Sequence, residues 1–161
     1  SSDLATHLLL YKAFQNIGGV TDTHSEYATA WAQARKPIPC FGTTHADYFE
    51  SSVPVTEVMQ REEIVNDYER NTGEAIVRAF KNIDPRNVPA VLVANHGPFT
   101  WGKNATEAAH NAVILESIAR TAYFTTTIES GASPISRDLH HKHFSRKHGA
   151  NAYYGQAGED R

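Results

Sequence analysis

Three observations make this chain a layered mixture of helices and strands. Ala90-Val91-Leu92-Val93-Ala94 is an unbroken apolar run between Pro89 and Asn95, the pattern of a buried strand. The segments around it carry apolar residues at helical spacing, most clearly Ala108, Ala112, Leu115, Ala119 and Ala122. Two shorter extended pieces, residues 20–23 and Val53-Pro54-Val55, come before it. Helices alternating with short strands give an α/β or α+β class built in layers. A length of 161 residues suits one domain, 1–161, with a real core.

The elements follow in order. Ser2 or Asp3 can cap a helix through about Phe14, with Leu4, His7, Leu8 and Tyr11 on its apolar face. Gly18-Gly19 ends it. After the strand at 20–23, residues 25–34 form a second helix with Ala28, Trp31 and Ala32 inward. Lys36-Pro37-Ile38-Pro39 stops that helix and opens an extended piece. Pro54 marks its strand as an edge or a bulge. Residues 62–81 are helical on Ile64, Tyr68, Ala75, Ile76, Ala79 and Phe80, with a break expected near Asn71-Thr72-Gly73. Asp84-Pro85-Arg86-Asn87 is a turn. Asn104 and Glu107 form a capping box that starts the long Ala-rich helix. A polar helix over 136–148 and a tail ending Ala152-Tyr153-Tyr154-Gly155-Gln156 close the chain.

Composition excludes several functions. A net charge of -3 gives no electrostatic reason to expect nucleic acid as a partner. No 18-residue apolar run exists to span a membrane, and no signal-peptide pattern opens the chain. The single cysteine, Cys40, rules out an internal disulfide framework and fits a reducing cytoplasm. Between Pro39 and Phe41, with no basic neighbour, it reads as a buried thiol rather than a nucleophile. Ser1-Ser2-Asp3 leads straight into a helix without an initiator Met, so the expectation is a start inside a domain.

Nine histidines are the unusual count. Three of them lie in Thr21-Asp22-Thr23-His24-Ser25, Gly42-Thr43-Thr44-His45-Ala46-Asp47-Tyr48-Phe49 and Asn95-His96-Gly97-Pro98-Phe99-Thr100-Trp101-Gly102-Lys103, each read as a strand end opening into a loop. Such ends are where a scaffold presents functional groups. Imidazoles from separate strand ends can converge on one divalent metal.

Those strings, with Ser1-Ser2-Asp3 before them and Lys147-His148-Gly149-Ala150 and Tyr153-Tyr154-Gly155-Gln156 after, closely resemble the class II aldolase family, in its sugar-phosphate 4-epimerase branch. The resemblance covers Ser1 to about Gln156 and rests on long, idiosyncratic strings. It implies a three-layer α/β/α domain around a largely antiparallel sheet, with the N-terminal third of the family domain absent. It further implies a cytoplasmic homotetramer, a sugar-phosphate substrate and a divalent metal near each subunit boundary, Zn2+ first and Mn2+ next. Neither nucleic acid nor membrane is expected as a partner.

The activity this resemblance implies is epimerisation of L-ribulose 5-phosphate to D-xylulose 5-phosphate. Carbon 4 is not adjacent to the carbonyl, so simple deprotonation cannot invert it. Retro-aldol cleavage between carbons 3 and 4, with re-addition on the other face, solves the problem, a metal stabilising the enediolate as Lewis acid. The same machinery without re-addition is an aldolase. A non-catalytic module like the adducin head is a third reading.

The resemblance assigns metal binding to Asp3, Asp22, His24 and His96. Asp3 is equally a plain helix cap. Asp22 stands where the family has an imidazole, and either ligates as a carboxylate or leaves the site incomplete. Asp47 and Tyr154 carry the acid/base roles across a subunit interface; a Tyr of ordinary pKa is the better proton donor, so Asp47 is the base. Ser1 and Ser2 fit phosphate contacts at a helix start, and Thr43 and His143 line the same pocket, with Glu69 nearby. His45 is expected to support its own turn. His140, His141 and His148 are expected on a solvated helix face, as are Arg61, Glu62 and Glu63 on theirs and Lys103 after its turn.

Overall fold

A computed structural model describes residues 3–149 and 152–153. Its core is a three-stranded antiparallel sheet in the order β1-β3-β2, from β1 (Gly19–Asp22), β2 (Ala90–Leu92) and β3 (Pro98–Gly102). The register pairs Gly19 with Gly102 and Asp22 with Phe99 on one side of β3, and Ala90 with Thr100 on the other. Isolated bridges join Ile38 to Val53 and Val55 to Leu92, so the Pro54 piece does run along the sheet edge. The sequence suggests a loop and turn after His96. That segment is instead the central strand, fully buried, with Pro98 at its first position where a missing N–H is tolerated.

Alternation along β3 sets the layers. Thr100 points to one face, where its hydroxyl donates to the Ala108 carbonyl of α6 (Ala105–Ile128) at 2.9 Å. Trp101 points to the other, against Phe14 and Phe80 at 4.9 and 5.1 Å between ring centres. Those rings belong to the ends of α1 (Leu4–Ala13) and α5 (Tyr68–Ala79). Helices therefore cover both faces, and α2 (Glu26–Gln33) packs beside α6. Both indoles are tied to backbone, Trp31 to the Ala119 carbonyl and Trp101 to that of Pro85.

Three local expectations change. The buried side of α1 is Thr6 and Leu10, while Leu4, Leu8 and Tyr11 are 54, 48 and 41% exposed. This helix is apolar nearly all round, so spacing could not choose its face. Packing chose it: Leu9 lies on Gly73, where an added Cβ would meet the Leu9 Cβ at 3.2 Å, and Thr6 donates to the Glu69 carbonyl. That same contact keeps Asn71-Thr72-Gly73 helical. The break falls earlier, at Asn66 and left-handed Asp67, between α4 (Arg61–Val65) and α5. The N-terminus of α6 is capped by Asn104 from Glu107 N as expected, but the Glu107 carboxylate accepts from Lys103 N instead of Asn104 N.

Candidate functional site

The site begins where β1 ends and the β2–β3 hairpin turns. Asn95 adopts φ 63°, the left-handed conformation that Asn tolerates better than most residues. Its N–H donates to the Ala32 carbonyl, while His96 N reaches back to Val93 O, fixing His96 at the tip. Gly97 lets β1 approach: a Cβ there would stand 2.7 Å from Thr23 O and 2.9 Å from the His24 ring. His24 and His96 consequently face each other, ring centres 5.1 Å apart. They share an open cleft of about 390 Å³ with Thr29, Gln33, Tyr68 and Asn95. The segment after His24 is anchored from below by α6, whose Glu116 carboxylate accepts from Tyr27 N and Ala28 N at 2.8 and 2.9 Å. This side chain caps α2 in place of Ser25, whose hydroxyl makes no capping bond.

Two imidazoles at neighbouring corners of a tetrahedral metal have ring centres roughly 5 Å apart, given bonds of about 2.0–2.1 Å. The His24–His96 spacing meets that requirement, and His96 Nδ1 is buried without a hydrogen-bond partner among the described residues. Both features fit a divalent cation. Asp22 does not complete the set as placed. His7 Nε2 donates to its Oδ1 at 2.9 Å, and among the described residues no three His, Cys, Asp or Glu converge on one point. Asp3 precedes α1 and accepts His7 N through its carbonyl, but its side chain makes no capping bond.

A second cluster surrounds Asp47. It follows α3 (Thr43–Ala46), a short helix and not the strand end expected around His45. Across from it lies α7 (Arg137–His148), capped by Ser136. Arg146 grips both Asp47 oxygens, at 3.0 and 2.9 Å from Nη2, and His143 Nδ1 donates to Oδ1 at 3.0 Å. Lys147 Nζ stands 3.9 Å from Oδ2 and 4.2 Å from the centre of the Tyr48 ring. Burial pushes the Asp47 pKa up, but the Arg146 and His143 hydrogen bonds outweigh it, and the carboxyl is held below its ordinary range.

Histidines also staple the loop. His45, 4% exposed, donates from Nε2 to Ser51 O. Burial pushes its pKa down to about 4. His140 is half-buried and donates to Phe49 O, unlike the solvated helix-face residue expected, whereas His148 is exposed as expected although its Nε2 donates to Asp47 O. Only His141 of those three stays outside the cluster, bonded to Ser145 on its own helix. Arg146 was missed; its i+3 spacing from His143 was the available signal. Thr43 opens α3 and its carbonyl accepts Asp47 N. Glu69 presents its carbonyl to Thr6, and Lys103 is exposed as expected. Glu63 sits in a capping box with Gln60 and pairs with Arg78. The Cys40 thiol is buried, which pushes its pKa up to about 11. Ser1, Ser2 and Tyr154 lie outside the described residues.

The two clusters lie at opposite ends of β3. His24 and His96 belong to the Phe99 end. Tyr48 and His148 line a 300 Å³ cavity with Trp101, Gly102 and Lys103 at the other. Five strand residues at about 3.3 Å each put those ends ~13 Å apart.

Residues 1–123 match the family described as Class II Aldolase and Adducin N-terminal domain. Two relatives named L-ribulose-5-phosphate 4-epimerase UlaF, from Salmonella paratyphi A and Salmonella typhi, are each 51% identical over 97% of this chain. The chain spans 68% of their length. Among solved structures, an L-fuculose 1-phosphate aldolase superposes with TM-score 0.71 at 21% identity, over 91% of this chain and 63% of its own. The L-fuculose-1-phosphate aldolase of Thermus thermophilus gives 0.60 at 19% identity, over 83% and 65%.

Proposed function

The chain belongs to the class II aldolase and adducin N-terminal domain family, and from that premise we propose that the protein epimerises L-ribulose 5-phosphate to D-xylulose 5-phosphate by retro-aldol cleavage and re-addition. The observation that carries the epimerase over the aldolase is identity: 51% to chains named as that epimerase, against 21% and 19% to the fuculose-phosphate aldolases.

A divalent cation, Zn2+ before Mn2+, supplies Lewis acidity to the ketose oxygens when bound. His24 and His96 would hold it, with Asp22 and Asp3 beside them. The remaining work falls to the chain's own side chains. Arg146 keeps Asp47 ionised and aimed, and so ready to accept a hydrogen bond. With Nδ1 donating to Asp47, His143 leaves Nε2 as the nitrogen able to exchange a proton with a bound sugar. Such a base held by a carboxylate follows the logic of catalytic dyads. Tyr154 is the proposed acid on the opposite side, and Ser1, Ser2 and Thr43 contact the phosphate end.

One chain keeps the imidazole pair and the Asp47 cluster at opposite ends of a strand. The reading therefore needs a second copy whose Asp47 cluster faces the first copy's His24 and His96, as in a cyclic homotetramer. No helix of the described residues is long and apolar enough to cross a membrane; a cytoplasmic setting is part of the proposal.

The test uses the full-length protein. Mixing His96→Ala and Asp47→Asn subunits, each inactive alone, should restore about a quarter of parent turnover by random assembly. A site is whole only where one kind of subunit supplies its imidazoles and the other kind its Asp47. Epimer should form in a coupled assay of both pentulose phosphates. No recovery on mixing, or steady release of an aldehyde without epimer, overturns the reading; failure to take up any metal favours a non-catalytic module.

A further inference from the structure

We propose that Tyr68 and Gln33 contact the sugar, forming with Asn95 an uncharged wall beside the imidazole pair that recognises the hydroxylated, non-phosphate part of the substrate. The inference rests on the epimerase reading above and adds residues that neither hold the cation nor move a proton. Three elements build the wall. Thr29 and Gln33 stand one turn apart on α2, hence on one face of that helix. Asn95 is the left-handed residue of the hairpin tip. Tyr68 opens α5, and its ring lies 6.4 Å from that of His96 with 31° between their planes. All four line the cleft that His24 and His96 share.

Tyr68 reaches this place because the helix ahead of it is broken. Asp67 sits at φ 60°, an uncommon conformation for a residue with a side chain, and such residues gather where ligands are held. Asn71 Nδ2 ties the break together by donating to the Glu63 carbonyl at 2.9 Å, and Thr72 Oγ1 donates to the Tyr68 carbonyl at 2.9 Å. The backbone of Tyr68 is therefore fixed, while its hydroxyl bonds to no described residue, and neither do the side-chain amides of Gln33 and Asn95. Each amide offers both donors and an acceptor, and the phenol hydroxyl does the same. That set matches neighbouring sugar hydroxyls, which also donate and accept. It does not match a phosphate, which is held best by cationic donors, and no Lys or Arg lines this cleft.

Two probes test the wall on the full-length protein loaded with Zn2+. Ribitol 5-phosphate keeps the hydroxyls but has no carbonyl, so it cannot be cleaved; pentyl phosphate keeps only the phosphate and the chain length. The unsubstituted protein should prefer the first by calorimetry. Tyr68→Phe and Gln33→Met should each shrink that preference by roughly three- to tenfold, the worth of one neutral hydrogen bond. Affinity for pentyl phosphate, affinity for Zn2+ and Tm should all hold, since Phe keeps the ring beside His96. The KM for L-ribulose 5-phosphate should rise by a similar factor, more than kcat falls. Equal losses toward both probes, or a matching fall in Zn2+ affinity, would mean that Tyr68 only props His96, and would overturn the proposal. Selective loss toward ribitol 5-phosphate in a protein that forms no epimer upholds the wall and overturns the epimerase reading. Epimer formed with both substitutions silent does the reverse.

Discussion

At the Phe99 end of β3, side-chain polar atoms go short of partners. His96 Nδ1 and Thr29 Oγ1 are buried with none among the described residues. At the Gly102 end the central carboxylate is surrounded by donors. Asp47 alone receives bonds from His143 and from Arg146 at two nitrogens, with Lys147 close by. A buried polar atom left unpaired costs about 1–3 kcal/mol, so the imidazole end stores a deficit that a bound cation would relieve. The Asp47 carboxylate has no such deficit and is organised before anything binds, although His45 Nδ1 nearby is also buried without a partner among the described residues. The difference separates two ways of building half a site: one waits for its ligand, the other is fixed in advance by the fold.

The comparison breaks most visibly at its two centres. Asp47→Asn should cut turnover of the full-length enzyme by ~10²–10⁴-fold, the usual contribution of a positioned acid or base, yet leave Zn2+ affinity within about twofold by calorimetry. His24→Ala should do the reverse to binding, weakening Zn2+ by more than the ~10–100-fold typical of residues that merely support a ligand. Equal effects of both changes on metal affinity would dissolve the distinction.

Acid tests the Asp47 end. His45 has an ordinary pKa near 6.5 when unfolded and about 4 when folded, because burial disfavours its charged form. The unfolded chain binds the extra proton between those values. Stability is therefore full above about pH 6.5 and falls as pH drops toward 4, by ~3 kcal/mol in order of magnitude. Urea titrations at pH 7 and pH 4.5 should give a slope that His45→Gln flattens. An unchanged slope would mean that the Ser51 staple opens before the ring titrates.

Smaller effects sharpen the imidazole end. Glu116→Ala removes both α2 capping bonds and should cost about 1–2 kcal/mol, read as a lower Tm, with Glu116→Gln losing roughly half of that. A fall in Zn2+ affinity alongside would tie the cap to His24. Gly97→Ala forces Thr23 and the His24 ring apart, and should lower Zn2+ affinity by more than it lowers Tm. On α1, Leu8→Ala should stay within about 1 kcal/mol, whereas buried Leu10→Ala should cost about 2–5 kcal/mol.

Legibility in the sequence followed the same divide. His24 and His96 were singled out because their ends of β1 and the hairpin are written in Gly, Thr and Asn and the family strings named them, and the fold brings them face to face. The Asp47 partners were half found. His143 was expected, but Arg146, His140 and His148 sit on a helix so polar all round that no stripe marks its inward face. α1 failed for the opposite reason, being apolar all round. β3 was missed because Gly97-Pro98 and Trp101-Gly102 carry turn residues at both ends of a strand, and burial on both faces removed its alternation. His7 was read as core and proved to be the partner of Asp22, a pairing 15 residues apart that only the fold could supply.

The two tryptophans give the molecule a built-in optical readout. Trp31 is half-buried on the α2 side with its indole bonded to α6, and Trp101 is sealed between the sheet and the opposite helices. Each fluorophore reports on one side of the sheet. Emission of a Trp101→Phe variant follows the α2–α6 side, and so the cleft beside Ala32 and Asn95, without any attached label. Emission of Trp31→Phe follows the α1–α5 side alone. If cation binding tightens the hairpin tip against α2, the first should respond while the second stays silent.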